Sequence, residues 1–129
     1  MRLDNQVAVV TGAGRGIGRA IAIKLAEAGA DVVCVSRTEA NSQKVADEIT
    51  AIGRKSWPVA MDVGDMTAVE LEVGKILEDI GGVHILINNA GVTRDGLLMR
   101  MSEEDWNTVL NTNLKGAFSM TKAFTRNFM

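Results

Sequence analysis

The chain has 129 residues, of which 47% are hydrophobic and 23% are charged, and its formal net charge is −2. This composition is typical of a soluble globular protein and excludes an intrinsically disordered chain, so we expect one domain over residues 1–129. The small negative charge gives no general attraction to nucleic acid or to anionic membranes. Because no apolar run approaches the ~20 residues of a membrane-spanning helix, we expect neither kind of partner.

The strand patterns come first in chain order. Residues 7–10 form a short apolar run, as expected of a strand that is covered on both faces of a parallel sheet. Residues 32–35 and 83–87 repeat this pattern, and a third strand is predicted over residues 56–61. These runs alternate with helical patterns, and no linker separates them.

Helices are predicted between the strands because apolar residues recur there at helical spacing. Thr38 and Asp65 are placed to cap the second and third helices, and Gly29, Gly53 and Gly81 follow the ends of the three helices. The predicted inward-facing residues are Ile17, Ala20, Ile21, Leu25 and Ala28 in the first helix, Val45, Ile49 and Ile52 in the second, and Val69, Val73, Ile76, Leu77 and Ile80 in the third.

A long final helix is predicted from Ser102, where Ser102 and Asp105 form an approximate capping box. The repeat of about 25 residues is that of right-handed β–α crossover units, which gives a parallel sheet of order 3-2-1-4. The predicted fold class is therefore α/β, half of a doubly wound Rossmann-type fold that lacks its C-terminal half. The predicted apolar positions of the final helix are Trp106, Val109, Leu110, Leu114, Ala117, Phe118, Thr121, Phe124 and Phe128.

The turn between the first strand and the first helix contains four glycines in seven positions, which disfavours an ordinary connecting loop. Glycine permits positive φ and close approach of a ligand to the backbone, and the amides at a helix N-terminus point at an anion. We therefore expect this turn to hold the pyrophosphate of a dinucleotide. The literal pattern G-x-G-x-x-G does not fit, whereas T-G-x-x-x-G-x-G does, from Thr11, Gly12, Gly16 and Gly18. The Gly-Lys-Ser/Thr tripeptide of a P-loop does not occur.

Four motifs together resemble the short-chain dehydrogenase/reductase family, most closely its bacterial 3-oxoacyl-acyl-carrier-protein reductases. They are the glycine turn, Asp62-Val63 after the third strand, Asn88-Asn-Ala-Gly91 after the fourth, and Asn111-Thr-Asn-Leu-Lys-Gly116 in the last helix. The resemblance implies that Asp62 lies against the adenine ring and that the Asn-Asn-Ala-Gly motif lines the ribose and nicotinamide channel. It also implies that Asn113 is the catalytic asparagine.

Cofactor choice depends on the end of the second strand, where an NAD site carries an acidic residue for the ribose 2′-hydroxyl. This chain has Ser36 and Arg37 there, and its next carboxylate is Glu39. Ser36 can donate a hydrogen bond, while Arg37 and Arg15 are cations suited to a 2′-phosphate, so we expect NADP(H). The predicted cofactor-binding residues are Thr11, Gly12, Gly14, Arg15, Gly16, Ile17, Gly18, Ser36, Arg37, Asp62, Val63, Asn89, Ala90 and Gly91.

The family reduces carbonyls with a serine and a Tyr-x-x-x-Lys motif, and neither element follows in this chain, which has no tyrosine. Loss of a general acid typically costs ~10²–10⁴ in rate, so little or no ketone reduction is expected from this chain alone. The alternative is a non-redox nucleotide-binding protein with a flavodoxin-like strand order or a swapped dimer.

Oligomerisation is expected because the fourth strand and the last helix would lack part of their packing partners. In the helix, this loss of packing is expected at Trp106, Phe118, Phe124 and Phe128. An unpaired apolar strand edge is an association hazard, so a homodimer or larger assembly could form through that strand or that helix. The alternative is a monomer whose last helix covers its own sheet edge.

Cysteine and histidine usage gives the remaining expectations. Cys34, the only cysteine, lies in an apolar strand pattern, which predicts a buried and unreactive thiol. With no disulfide and no apolar leader, the reducing cytoplasm is the expected location. His84, the only histidine, has no cluster of ligand residues beside it in sequence, so no metal site is expected.

Overall fold

Strands and helices alternate along the chain in a computed structural model, which describes residues 2–90, 102–104, 107 and 115–129. The elements within these residues are β1 (Val7–Thr11), α1 (Gly16–Glu27), β2 (Asp31–Ser36), α2 (Glu39–Ile52), β3 (Ser56–Ala60), α3 (Met66–Ile80), β4 (Ile85–Ile87) and α4 (Gly116–Phe128).

The four strands form one parallel sheet in the order β3-β2-β1-β4, which confirms the predicted topology. A flavodoxin-like sheet would place β1 between β2 and β3, so that alternative is wrong. Among the described residues β4 pairs with β1 alone, in the register Val9 to Leu86. The strand therefore has one unpaired edge there, as its sequence position suggested.

Hydrophobic side chains cover both faces of the sheet, which explains the uninterrupted apolar strands. Val9 points into a core that includes Met120 and Phe124 from α4 together with the buried side of α3. The next residue, Val10, points into a second core with residues from α1 and α2, including Cys34 of β2. Cys34 is fully buried, as expected, and burial raises the pKa of its thiol despite a weak contact with Ser56.

The buried face of α1 differs from the sequence prediction. Its buried residues are Gly18, Ala22 and Ala26, whereas Ile17 is 74% exposed and Ala20 is also exposed. Ile21 and Leu25 pack at the flanks of the second core. The small side chains let the helix lie close to the sheet, and this displaces the larger ones from the contact.

The second helix shows a similar shift at its end. Val45 and Ile49 are buried as predicted, but Ile52 is 43% exposed, because Ser42 and Ala46 complete the buried face instead. Gly53 ends the helix with a φ of 100°, as its C′ role requires.

The two predicted caps behave differently. Asp65 is confirmed as the N-cap of α3, since its Oδ1 accepts hydrogen bonds from the amides of Thr67 (3.1 Å) and Ala68 (3.2 Å). Thr38 occupies the N-cap position of α2 but forms no side-chain cap bond. The inner face of α3 is as predicted: Val69, Val73 and Ile76 are buried, and Leu77 and Ile80 pack against them.

The last helix folds over its own chain, where it packs on α3. Phe124 is fully buried with Met120, so the expectation that Phe124 loses packing is wrong, while Phe118 is 58% exposed. Asn127 pairs with both backbone groups of Val83, donating to its carbonyl at 2.6 Å and accepting from its amide at 3.3 Å. Among the residues near the predicted helix start, Glu103, Glu104 and Asn107 are helical, whereas Asp105, Trp106, Val109, Leu110 and Leu114 lie outside the described residues.

Candidate functional site

The candidate site residues lie at one edge of the sheet, because the carboxyl ends of parallel strands point the same way. From β3 to β4 the loops at this edge carry Asp62, then Ser36 and Arg37, then the glycine turn, then Asn89. The strand order reverses beside β1, with β2 on one side and β4 on the other. Ligands of doubly wound sheets bind in the crevice at such a switch point.

The glycine turn is open where α1 begins. Gly16 has a φ of +60°, and a Cβ built on it would meet no atom within 4 Å. Arg15, at the N-cap, has extended backbone and makes no side-chain cap bond, and the first turn of α1 contains no acidic residue. The amides at this helix end are thus uncapped by side chains, and the helix dipole favours an anion there.

Two other glycines permit close backbone packing. A Cβ on Gly18 would overlap the carbonyl oxygen of Gly12 and lie 2.6 Å from Asn89 Nδ2. A Cβ on Gly12, whose φ is +66°, would lie 2.9 Å from the Cα of Ala90. These contacts allow α1 to start directly beside the end of β1, with the loop after β4 against the same point.

Thr11 joins the loops that follow β1 and β4. Its hydroxyl accepts hydrogen bonds from the amides of Asn89 (3.0 Å) and Ala90 (2.9 Å), and it donates to the carbonyl of Ile87 (3.3 Å). One donor and two acceptor positions are all that a hydroxyl has. Thr11 is 1% exposed, so its side chain holds the site together, and no hydrogen-bonding position is left for a ligand.

The amides of the Asn-Asn-Ala-Gly motif tie neighbouring elements together. Asn89 Nδ2 lies 3.4 Å from the carbonyl of Gly12, and Asn88 Nδ2 donates to Thr121 Oγ1 of α4 at 3.1 Å. The contact between Asn88 and Thr121 was not foreseen, because no sequence pattern links positions so far apart. Gly91 and Asn113 were predicted as site residues and lie outside the described residues.

The end of β2 contacts the glycine turn through Gly14. A Cβ on Gly14 would lie 2.7 Å from the Cβ of Asn41 in α2 and 3.2 Å from that of Ser36. Ser36 Oγ donates to the carbonyl of Thr38 at 2.6 Å. The predicted hydrogen-bond donor is therefore already engaged within the chain. The proximity of Asn41 to the turn was not predicted, because a single asparagine in a helical pattern carries no site signal.

The cations near this edge differ in their partners. Arg15 and Arg37 are exposed, and neither side chain makes a hydrogen bond or ion pair with another residue in the described ranges. Arg19 of α1 instead forms a two-point ion pair with Glu48 of α2, with Nε 3.1 Å from Oε1. The hydrogen bond from Arg19 lowers the pKa of Glu48, and the same bond raises the pKa of Arg19. Arg15 and Arg37 are therefore the available cations.

The loop after β3 contains two predicted site residues, Asp62 and Val63, whose side chains lie in different environments. Asp62 is exposed at the sheet edge, and its Oδ1 accepts from the amide of Gly64 at 2.9 Å. The side chain of Val63 is buried, and a Cβ on Gly116 would lie 2.5 Å from its Cγ2. Asp62 can face a ligand, whereas the Val63 side chain fixes the position of α4.

The described residues contain neither a metal-ligand cluster nor a membrane-spanning helix. No group of three or more potential metal ligands occurs among them, and His84 Nδ1 accepts from the amide of Val7 at 2.9 Å. No helix in this part of the chain combines the length and apolar character needed to cross a bilayer.

Together, the sheet order and the glycine turn at the switch point define a Rossmann-type α/β protein. The family model for short chain dehydrogenase matches residues 6–129. The chain belongs to the short-chain dehydrogenase family.

Relatives in sequence and in structure agree with this assignment. The chain is 44% identical to the 3-oxoacyl-acyl-carrier-protein reductase of Vibrio cholerae and 43% identical to that of Escherichia coli, in each case over the whole chain and 52% of the relative. The chain thus spans about half the length of these curated relatives.

The solved structures show the same partial coverage. A putative short-chain alcohol dehydrogenase from Sinorhizobium meliloti matches with a TM-score of 0.92 at 40% identity, over 98% of this chain and 50% of that one. A short chain dehydrogenase from Burkholderia cenocepacia, solved in complex with NADP, matches with a TM-score of 0.92 at 38% identity, over 98% and 52%.

The role of the Thr11 hydroxyl predicts that Thr11→Val lowers the free energy of unfolding more than Thr11→Ser does. Thr11→Val leaves two part-buried amides without an acceptor, and loss of an acceptor costs about 1–3 kcal/mol for a buried donor. We expect urea unfolding to show a loss of about 2 kcal/mol or more for Thr11→Val and about 1 kcal/mol for Thr11→Ser, which keeps the hydroxyl and loses one methyl. Thr50→Val is the matched control at an exposed residue, whose hydroxyl donates only to the Ala46 carbonyl of its own helix at 2.9 Å, and it should stay within about 0.5 kcal/mol. Equal losses at positions 11 and 50 would contradict this role.

The close contacts of the glycine turn predict that a Gly→Ala substitution destabilises the protein at one helical glycine and stabilises it at another. Gly18→Ala forces a Cβ into the Gly12 carbonyl, so a loss of about 3 kcal/mol in the free energy of unfolding is expected. Gly74→Ala in α3 meets nothing within 4 Å and should gain about 0.5–1 kcal/mol from helix propensity. Chemical denaturation of both variants checks this, and a tolerated Gly18→Ala would show that the turn packs less closely than described.

Proposed function

We propose that this chain is the NADP(H)-binding N-terminal portion of a short-chain dehydrogenase that resembles the 3-oxoacyl-acyl-carrier-protein reductases. The observation that carries the proposal is the open turn at Gly16, where the uncapped N-terminus of α1 meets the switch point of the sheet. A pyrophosphate placed there would accept hydrogen bonds from the amides of residues 16–18 and interact with the positive end of the helix dipole.

The remaining parts of a dinucleotide would extend along the sheet edge in both directions. On the β2 side, Ser36, Arg37 and then Asp62 would contact the adenosine half. On the β4 side, Asn89, Ala90 and Gly91 would border the ribose and nicotinamide half. Thr11, Gly12, Gly14 and Gly18 would shape the turn, and the exposed side chain of Ile17 would pack on the cofactor. Hydride donation is the chemistry that the nicotinamide supplies when bound.

Preference for NADP(H) follows from charge at the end of β2. The guanidinium groups of Arg15 and Arg37 have no partner among the described residues, and the first carboxylate after the strand is that of Glu39. A guanidinium and a phosphate form charge-assisted hydrogen bonds, whereas NAD selection uses an acidic residue at this point. The NADP in the Burkholderia cenocepacia relative supports the same choice.

Catalysis is proposed to be incomplete in this chain. Asn113 is the proposed catalytic asparagine, but no tyrosine is present to act as the general acid. The second candidate function is a nucleotide-binding protein without redox chemistry. The two candidates differ in ligand range, because a dinucleotide site at this edge should not accept FMN or ATP with equal affinity.

We also propose an assembly and a location for the chain. Phe118 and Phe128 of α4 are exposed, as is Met129, and β4 has an unpaired edge among the described residues. Either surface could join copies of the chain into a homodimer or larger assembly. The buried free thiol of Cys34 accords with a reducing cytoplasm.

Isothermal titration of one preparation with NADP⁺, NAD⁺, ATP and FMN tests the proposal. We expect NADP⁺ to bind at least about 10-fold more tightly than the other three, since two charge-assisted contacts are available only to its 2′-phosphate. Arg37→Ala should weaken NADP⁺ binding about 10-fold and NAD⁺ binding less than about 2-fold, and Arg126→Ala on α4 is the matched control. Equal affinities for NADP⁺ and NAD⁺ would contradict the cofactor assignment, and preference for FMN or ATP would favour the second candidate.

The absence of tyrosine from these 129 residues predicts the outcome of an activity measurement on this chain alone. NADPH oxidation by the purified chain with an acetoacetyl thioester should be at least ~10²–10⁴ below that of a complete reductase assayed in parallel. Absorbance at the nicotinamide band follows the reaction. Turnover comparable to the complete reductase would show that this chain contains an acid and a substrate pocket that we have not identified.

A further inference from the structure

The approach of α2 to the glycine turn gives Asn41 a position at the proposed cofactor site. The missing Cβ of Gly14 makes room for Asn41, whose own Cβ would lie only 2.7 Å from it. Ser36 is the next neighbour, at 3.2 Å between the corresponding Cβ atoms. The first turn of α2, the end of β2 and the glycine turn therefore meet at one point.

Ser36 has no hydrogen-bond donor left for a ligand at this point. Its hydroxyl proton is donated to the carbonyl of Thr38 at 2.6 Å, so the lone pairs of the oxygen are what remains for a ligand. Lone pairs repel phosphate oxygens, and recruitment of Ser36 as a donor would break the existing bond. A neutral donor for a phosphate must come from another residue.

Asn41 can supply that donor. Its side chain is exposed, it makes no hydrogen bond with another described residue, and its carboxamide carries two N–H groups. The first turn of α2 also carries the carboxylate of Glu39, and a carboxylate repels a phosphate. A neutral donor at position 41 adds no further negative charge beside a phosphate.

We propose that Asn41 is a specificity-determining residue, and that its carboxamide donates a hydrogen bond to the phosphate on the adenosine ribose of NADP(H). This inference rests on the proposed function, because it places the ligand at the same sheet edge. It adds a neutral contact to Arg15 and Arg37, and it gives Gly14 a separate role, which is to admit α2 to the rim of the site.

Titration of position 41 variants with NADP⁺, NAD⁺ and 2′,5′-ADP tests the inference. Asn41→Ala should weaken NADP⁺ and 2′,5′-ADP binding about 3- to 10-fold, as expected for loss of one hydrogen bond to a charged group. Asn41→Asp should weaken both more than about 10-fold, because it adds a carboxylate beside the phosphate. Asn41→Lys should bind NADP⁺ at least as tightly as the unmodified chain, and NAD⁺ affinity should change less than about 2-fold throughout.

Controls separate this contact from simple packing and from net charge. Ala51→Asp adds the same charge at the exposed far end of α2 and should leave both affinities within about 2-fold. Position 41 is exposed, and thermal unfolding of each variant establishes that it is folded. A role in packing alone predicts parallel losses for NADP⁺ and NAD⁺ and no benefit from lysine, and that pattern overturns the inference.

The outcomes also distinguish failure of the inference from failure of the proposed function. If the unmodified chain prefers NADP⁺ and the position 41 variants keep that preference unchanged, the inference alone is wrong. If the unmodified chain binds neither dinucleotide, the proposed function and the inference are both wrong.

Discussion

The buried hydroxyl of Thr11 holds together the two loops that leave the centre of the sheet. It bonds the amides of Asn89 and Ala90 from one loop and lies at the end of β1, from which the other loop begins. A valine could fill the same volume but could not satisfy these amides, and buried unsatisfied donors are expensive. The fixed distance between the loops determines how closely the backbone after β4 approaches Gly12, and with it the position at which α1 can begin.

The four glycines of the turn have different physical tasks. Gly12 and Gly18 allow backbone segments to touch, and Gly14 admits the first turn of α2. Gly16 is the one glycine of this turn that faces open space, with positive φ and no atom within 4 Å of its absent Cβ. Of the four, Gly16 is thus the position where a ligand has room to approach, while the other three build the walls of the site. Three glycines of this motif therefore permit close packing, and only one leaves space for a phosphate.

Sequence patterns predicted the sheet order, the Asp65 cap and the inner face of α3, because each depends on local chemistry or on the handedness of crossovers. They failed where a tertiary contact decides between similar residues. Hydrophobicity ranks Ile17 above Gly18 as a buried residue, but only a glycine fits beside the Gly12 carbonyl. The second helix shows the same preference, since Ala46 is buried and Ile52 is not.

The candidate site was predictable in its location and not in its hydrogen bonding. The carboxyl ends of the strands follow from the topology, so Ser36, Arg37, Asp62 and Asn89 were expected at one edge. The use of the Ser36 proton by Thr38 could not be deduced, because the path of the chain after β2 determines it. The proximity of Asn41 to Gly14 depends on the angle at which α2 approaches the turn, and no periodicity encodes that angle.

The most direct test of the account is an amide NMR titration of the isotopically labelled 13.8 kDa chain with NADP⁺. If the N-terminus of α1 holds the pyrophosphate, the amides of residues 14–18 will show the largest shifts, with smaller shifts at the ends of β2 and β4. If these amides stay unmoved while NADP⁺ shifts a different surface, the glycine turn does not bind the phosphates and the central claim is wrong.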